Sequence, residues 1–210
     1  MEIRDRIKQK ADELFRKYGI KSVTMDEIAS QLGVSKKTIY HSFSDKNELV
    51  DAVIGDMLSY NRRCCTQDRA KAQNAVEEVF LALEMMQAMF ENMNPSILFD
   101  IERNYPRTYE KFKKHKYDFL FKVVKENVER GQREGLFRPE IDPDVVAAVR
   151  LEIIMMPFNE NLFPKHKYSL AELEQQLIEC FLFGLATQKG YKLISKYQND
   201  WLNQRNKNVV

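Results

Sequence analysis

Residues that start α-helices lie unusually close together near the beginning of the chain, which limits what this region can fold into. Thr24, Ser35 and Ser44 each carry a hydroxyl that can cap the free amides of a helix start. Glu27 follows Thr24 at the spacing of a capping box. Apolar residues then recur at helical spacing after each cap. Helix starts this close together within residues 24–44 predict a compact bundle of short helices.

An amphipathic pattern ending at Gly19 predicts one more helix before these caps. The helices that follow Thr24 and Ser35 are separated only by the turn of residues 32–35. Two short helices joined in this way form a helix-turn-helix, in which the second helix enters the major groove of DNA. Gly33 permits the positive φ that lets the two helices cross steeply.

The apolar residues Ile39 and Phe43 anchor the second helix of this pair, so its polar side chains must face away from the bundle. Lysines near the start of that helix can donate to guanine or neutralise phosphate. The Thr38 side chain can contact a base, the Tyr40 hydroxyl suits a phosphate, and residues 44–46 can hold another phosphate. The outward side chains are Lys36, Lys37, Tyr40 and His41. The spacing of these residues alone leaves an alternative open, in which the two helices only pack against each other and do not contact nucleic acid.

The rest of the chain has longer and more apolar helical patterns, interrupted by prolines such as Pro95, Pro106 and Pro157. The last long helix is predicted from Leu170 through about residue 197. Sustained period-two alternation is missing from the sequence, so no strand is predicted. The predicted fold class is therefore all-α.

Two domains are predicted within this all-α fold. Residues 1–47 form an N-terminal helix-turn-helix three-helix bundle that binds DNA. Residues 48–210 form a second, larger helical domain.

Composition and motifs exclude several classes of protein. A content of 44% hydrophobic and 30% charged residues is typical of a globular chain, and the net charge of +2 is too small to identify a partner. The absence of a signal peptide and of a membrane-spanning stretch predicts a cytoplasmic protein without a membrane partner. Three cysteines without metal-ligand spacing predict reduced thiols, and a redox role for Cys64 and Cys65 stays open. The common nucleotide-binding and hydrolase motifs are missing, so we expect no enzyme, no cofactor and no metal.

The segment from Thr24 to Val50 closely resembles the DNA-recognition region of the TetR family of bacterial repressors. The resemblance covers about the first fifty-five residues with the same spacing throughout. "VERGQREGLFRPEIDP" is similar to a turn common in that family. The residues that match the family pattern are Thr24, Ile28, Ala29, Gly33, Val34, Ser35, Ile39, Tyr40, Phe43, Lys46 and Leu49.

The resemblance implies a homodimer that binds a pseudo-palindromic operator in double-stranded DNA. By position, the residues that approach base edges are Lys36, Lys37, Thr38 and His41. The residues that hold the DNA backbone are Thr24, Tyr40, Ser42 and Lys46, and Ser35 completes the predicted DNA-binding set.

Methionine and phenylalanine side chains are frequent in the second domain and look like an adaptable apolar lining. Taken one by one, such residues are more often plain core, but the resemblance implies a small, largely apolar effector. A polar handle for it is expected from Glu84, Tyr109 or Asn159. The predicted pocket residues are Met86, Met89, Phe90, Phe99, Phe112, Met155, Met156 and Phe158.

The resemblance implies that the last long helices form the dimer interface, with Gly184 and Ala186 allowing close approach of a partner helix. The alternative is a last helix that is buried within its own monomer. The segments concerned are 145–154 and 170–194. The resulting hypothesis is a dimeric transcriptional regulator, a repressor in the family's manner, whose operator binding is relieved by the effector. The alternative is a DNA-bound interaction or chromosome-organising protein without a small-molecule effector, and a solidly packed second domain would favour it.

Overall fold

The computed structural model of this chain describes residues 2–91 and 93–208, with side chains up to residue 201 in the last helix. The described residues form α-helices and no β-strand, which confirms the all-α prediction. The helices are α1 (Ile3–Tyr18), α2 (Met25–Leu32), α3 (Lys36–Ser42), α4 (Lys46–Lys71), α5 (Ala75–Phe90), α6 (Ser96–Asn104), α7 (Pro106–Lys114), α8 (Phe121–Arg133), α9 (Pro143–Met155), α10 (Leu170–Leu185) and α11 (Gln188–Asn208). A π-helical turn (His115–Leu120) joins α7 to α8, and a 3-10 turn (Met156–Phe158) follows α9. Residues 1, 92, 209 and 210 of the predicted domains lie outside the described residues.

The first three helices form the predicted N-terminal bundle, in which α2 and α3 both pack against α1. The side chains at its centre are fully buried, and each helix contributes to them: Ile7, Phe15, Ile28, Ile39 and Phe43. Removing such side chains from water supplies the main driving force for this small bundle.

The cap of α4 lies one residue after the predicted cap at Ser44. The carboxylate of Asp45 is the cap and accepts from the N–H of Glu48 at 2.8 Å. Ser44 is used instead as a donor, because its N–H and its hydroxyl both donate to the Glu48 carboxylate. The hydrogen bonds from the Ser44 amide and from Arg4 lower the pKa of Glu48 to about 2.

The helix predicted from Leu170 to about residue 197 is in fact two helices, α10 and α11. The break follows from backbone pairing with the segment after α8. The N–H of Thr187 donates to the carbonyl of Leu136 at 2.9 Å, and the N–H of Arg138 donates to the carbonyl of Leu185 at 2.9 Å. A continuous helix could not make these two bonds, because its own carbonyls and amides would be used along the helix axis.

One apolar core runs from the N-terminal bundle into the helices that follow it. It joins Ile39 of α3 and the following Phe43 to Phe90 of α5 and to Ile97 and Ile101 of α6. Helix α4 packs against α1 on one side and against α5 and α7 on the other. A domain boundary between residues 47 and 48 stays a prediction, and the two parts share α4 and a packed core.

Candidate DNA-binding surface and apolar cavity

The pair α2 and α3 has the geometry of a helix-turn-helix. Gly33 ends α2 with φ of +66°, in the left-handed region, and the N–H of Val34 turns back to the carbonyl of Ala29 at 3.0 Å. Ile39 and Phe43 are both fully buried against the bundle. The buried anchors therefore fix which face of α3 is presented to solvent.

Four side chains predicted to face DNA are exposed on or next to that face: Lys36, Lys37, Tyr40 and His41. The ammonium of Lys36 donates to Asp26 of α2 at 2.9 Å and lies 5.8 Å from the Tyr40 ring centroid. The hydrogen bond to Asp26 raises the pKa of Lys36. Lys37 has no hydrogen-bonding partner among the described residues, so its charge is available to an incoming duplex.

The hydroxyl groups predicted to contact DNA already make hydrogen bonds at the ends of the helices. Thr24 Oγ1 accepts from the N–H of Glu27, and Ser35 Oγ accepts from the N–H of Thr38, both at 3.1 Å. The hydroxyl of Ser42 donates to the carbonyl of Thr38 at 3.2 Å. A hydroxyl has a donor and two lone pairs, so these bonds leave capacity for a phosphate or base contact.

Lys46 is placed differently from the other predicted DNA contacts. Its side chain is half-buried, and its ammonium donates to the carbonyl of Ile20 at 2.6 Å. Burial lowers the pKa of Lys46, with Asp100 and Glu27 acting in the opposite direction. Lys46 therefore ties the start of α4 to the turn between α1 and α2, and its phosphate contact stays a prediction.

The turn between α1 and α2 is also held by α6. The N–H of Lys21 donates to the carboxylate of Asp100 at 2.9 Å, and Asn94, just before α6, donates its N–H to the carbonyl of Arg16 at 2.6 Å. Gly19 has φ of +81°, and a Cβ there would lie 2.6 Å from the Ser96 hydroxyl. Only glycine fits both the backbone conformation and this close approach.

An apolar cavity of about 180 Å³ lies behind α6. Its lining comes from the segments 57–65, 78–93, 97–101, 112–127, 150–158 and 178–181. Six of the eight predicted pocket residues line it: Met86, Met89, Phe90, Phe112, Met155 and Phe158.

The other two predicted pocket residues do not line the cavity. Phe99 is 56% exposed, because Ile97 and Ile101 occupy the inward face of α6 and Phe99 lies between them on the other side. Met156 begins the 3-10 turn after α9, which takes it off the helix face that carries Met155. The binding role of the six lining residues stays a prediction.

The polar groups predicted as handles are also placed elsewhere. Glu84 and Asn159 are exposed, and the Tyr109 hydroxyl donates to Glu102 at 3.0 Å outside the cavity lining. The polar side chains that do line the cavity are Asn61, Glu78, His115, Asn127 and Arg150. A search for apolar residues at helical spacing does not find these five residues, because each is polar although its position faces inward. The signal that would find them is a polar residue at a position where the helical spacing predicts an apolar one.

His115 and Asn61 form one polar point of the lining, with His115 Nε2 and Asn61 Oδ1 at 2.8 Å. His115 is buried and begins the π-helical turn, a distortion that is frequent at functional sites. Burial, with a smaller effect of Arg62, lowers the pKa of His115 to about 4. The imidazole is therefore neutral at pH 7.

Arg150 and Glu174 form a second polar point. They pair across α9 and α10 through Arg150 Nη2 and Glu174 Oε1, and both are buried. The guanidinium also lies 5.6 Å from the ring centroid of Phe181, another lining residue. Burial raises the pKa of Glu174, and Arg150 opposes that shift.

Cys65 lines the cavity, and burial raises the pKa of its thiol to about 12. A thiol held in the neutral form is a poor nucleophile, which disfavours a redox role for Cys65. The described residues contain no group of His, Cys, Asp and Glu side chains suited to hold a metal ion. In the same part of the chain, none of the helices combines the length and apolar character needed to cross a membrane.

Comparison with known proteins supports the interpretation of the N-terminal bundle. Residues 7–53 match the family model described as bacterial regulatory proteins, tetR family. The HTH-type transcriptional repressor KstR2 of Mycolicibacterium smegmatis is 25% identical over 197 residues, which cover 90% of this chain and 93% of the relative.

Solved structures share the fold over most of the chain. A TetR-family transcriptional regulator from Agrobacterium tumefaciens is 15% identical with a TM-score of 0.74, and the match covers 88% of this chain and 97% of that one. The ketosteroid transcriptional regulator KstR2 of Mycobacterium tuberculosis is 18% identical with a TM-score of 0.60, covering 89% of this chain and 96% of that one. These comparisons support a transcriptional regulator of the TetR type with a helix-turn-helix DNA-binding domain.

The neutral buried His115 makes stability depend on pH. Its pKa is about 4 in the folded chain, against an ordinary histidine value of 6.5, so the unfolded chain takes up the proton first as the pH falls. The stability of the fold with a neutral His115 is therefore complete above pH 6.5. It decreases as the pH falls from 6.5 towards 4, because the unfolded chain binds a proton that the folded chain does not. Between pH 7 and pH 4.5, we expect wild type to lose about 2 kcal/mol more stability than His115→Gln. Urea unfolding at both pH values measures this, and equal losses in the two proteins would contradict it.

Proposed function

We propose that this regulator is a dimeric repressor whose operator binding is relieved by a small, largely apolar effector. The observation that carries the proposal is an apolar cavity of about 180 Å³ packed directly behind α6, the helix that holds the turn between α1 and α2. Repression rather than activation is supported by the relative KstR2 from Mycolicibacterium smegmatis, which is named a transcriptional repressor.

On DNA, α3 would lie in the major groove with Lys37 and His41 near base edges. Lys37 is exposed and unpartnered among the described residues, and it stands in the first turn of α3, where recognition helices contact bases. Lys36 would have to exchange its bond with Asp26 for a contact with DNA. Thr24, Tyr40, Ser42 and Lys46 would then hold the phosphates around the groove.

Dimerisation would use α9 and α10. Val145 and Val149 lie one turn apart on α9 and are 59% and 50% exposed, an unusual state for two valines on one helix face. On α10, Gly184 is exposed, and a Cβ there would meet no atom within 4 Å among the described residues. Two copies joined here would present two recognition helices to one pseudo-palindrome, which multiplies the affinity of each.

The cavity also supports one of the two candidate functions over the other. An interaction protein without an effector would have no need of a cavity in its second domain, because a void costs packing energy. The six methionines in the lining, Met57, Met85, Met86, Met89, Met93 and Met155, suit a site that adapts to a ligand. We therefore favour the ligand-responsive regulator over the chromosome-organising alternative.

The base-reading role of Lys37 is tested by Lys37→Ala. Binding to the best sequence selected from random duplexes should weaken by about 1–3 kcal/mol, because one base contact is lost, while binding to random DNA changes less. Lys192→Ala removes the same charge from an exposed position on α11, outside the helix-turn-helix, and serves as the control. Fluorescence anisotropy with both duplexes measures the difference. Equal losses on selected and random DNA would show that Lys37 reads no base.

The dimer interface is tested by placing a charge on it with Val149→Asp or Gly184→Asp. We expect both variants to sediment as monomers with unchanged helicity, because an unpaired carboxylate cannot be buried between two apolar faces. Leu162→Asp is the matched control, since Leu162 is exposed in the loop before α10. Variants at 149 and 184 that stay dimeric in analytical ultracentrifugation would locate the interface elsewhere.

A further inference from the structure

The side chain of Arg4, on α1, joins the end of the recognition helix α3 to the start of α4. Its Nη1 donates to the carbonyl of Ser42, the last residue of α3. Its Nη2 donates to the carboxylate of Glu48, in the first turn of α4, at 3.0 Å. The guanidinium carbon lies 4.0 Å from the ring centroid of Phe43, the buried residue that follows α3. One side chain thus contacts three parts of the corner formed by residues 42–48.

Hydrogen bonds from side chains hold this corner where the helices cannot. The last carbonyls of a helix have no amide partner within it, and Ser42 contributes one of them. Arg4 supplies the missing donor from another helix. Glu48 accepts from Arg4 and also from the N–H and the hydroxyl of Ser44, at 2.8 and 2.9 Å. Arg4, Glu48 and Ser44 therefore form one chain of hydrogen bonds across the corner.

The contacts of Arg4 are too exposed to serve mainly the stability of the fold. The side chains of Arg4 and Glu48 are 46% and 41% exposed. Ion pairs in such surroundings contribute little to the free energy of unfolding. An arginine that donates to two acceptors at once does add geometric definition, because two bonds allow fewer orientations than one. The arrangement is therefore suited to fixing the geometry of the corner.

That geometry matters for α3 because the helix is short. It has seven residues, and the buried anchor Ile39 sets which face is turned outward. Its tilt depends on what holds its two ends. The first end is joined to α2 by the turn at Gly33, and the last end is joined to α1 and α4 through Arg4. A change in tilt would move Lys37 and His41 relative to the base edges that they are proposed to approach.

We propose that Arg4 is a positioning residue for operator recognition. By bonding the Ser42 carbonyl and the Glu48 carboxylate together, it holds the tilt of α3 relative to α4. Its charge is matched by Glu48 and not by a DNA phosphate. The assignment rests on the proposed placement of α3 in the major groove. Without these bonds the base-reading side chains are misplaced while the bundle stays folded.

Replacement of Glu48 separates this role from simple electrostatics. Glu48→Ala removes a negative charge beside the DNA-binding helices and frees the Arg4 guanidinium, so charge alone would strengthen binding to every duplex. Loss of positioning predicts the opposite for the duplex that wild type selects from a random library. Binding to that duplex should weaken about tenfold, as for the loss of about one base contact, while binding to random DNA should not weaken. Glu13→Ala is the control, because Glu13 is exposed and its ion pair is with Lys10 of the same helix.

Two changes at Arg4 complete the test, with the ratio of affinities for selected and random DNA measured by fluorescence anisotropy. Arg4→Met loses both bonds, and Arg4→Lys keeps the charge but lacks the planar fork that serves two acceptors. Both should lower the ratio about tenfold, and Arg4→Met/Glu48→Ala should lower it no further, because both changes remove the same pair. Arg6→Met should keep the wild-type ratio, since the Arg6 side chain is exposed and makes no hydrogen bond among the described residues.

Several results would overturn the proposal. Binding of Glu48→Ala to the selected duplex that is unchanged or stronger would show that the pair does not position α3. A wild-type ratio in Arg4→Lys would show that a positive charge suffices, as in a direct phosphate contact. A midpoint of urea unfolding clearly below that of wild type in Arg4→Met would make Arg4 a stability residue. If wild type selects no duplex at all, the proposed operator binding fails as well; if it selects one and the variants keep its affinity, only the role of Arg4 fails.

Discussion

The turn between α1 and α2 is held from two sides, and the placement of the recognition helix α3 depends on it. From one side, the Asp100 carboxylate of α6 accepts the N–H of Lys21. From the other, the Lys46 ammonium of α4 donates to the carbonyl of Ile20. Because α2 follows this turn directly and α3 packs on α1 and α2, we expect a displacement of the turn to move α3 as well. Gly19 makes the close contact possible, since a side chain there would collide with Ser96.

Helix α6 has the cavity on its other face, where Ile97, Leu98 and Ile101 contribute to the lining. One helix of nine residues thus touches both the candidate effector site and the turn that positions the DNA-binding helices. A ligand that prefers one position of α6 would bias the position of α3 by at most the free energy of that preference. A coupling of about 1–3 kcal/mol is enough to change operator affinity by about 5- to 150-fold.

Local signals in the sequence predict the N-terminal part well. Caps at Thr24 and Ser35, the turn at Gly33 and the anchors Ile39 and Phe43 are all encoded within a few residues. What the sequence misses depends on distant partners. The break between α10 and α11 is imposed by residues 136–138, and Arg150 lines the cavity because Glu174, in another helix, makes its burial tolerable. Periodicity within one segment can indicate a polar residue at an inward position, but it does not identify the distant partner.

Filling the cavity should weaken operator binding through α6. Ala82→Phe fills the cavity from α5 without a ligand, because Ala82 is part of its lining. Operator affinity of wild type and Ala82→Phe is compared on the duplex that wild type selects from a random library, in the presence and absence of a second change, Asp100→Ala. We predict a loss of about 5- to 150-fold for Ala82→Phe that becomes clearly smaller when Asp100 is replaced. A folded Ala82→Phe variant with wild-type operator affinity, or a loss that is the same with and without Asp100, would contradict the claim.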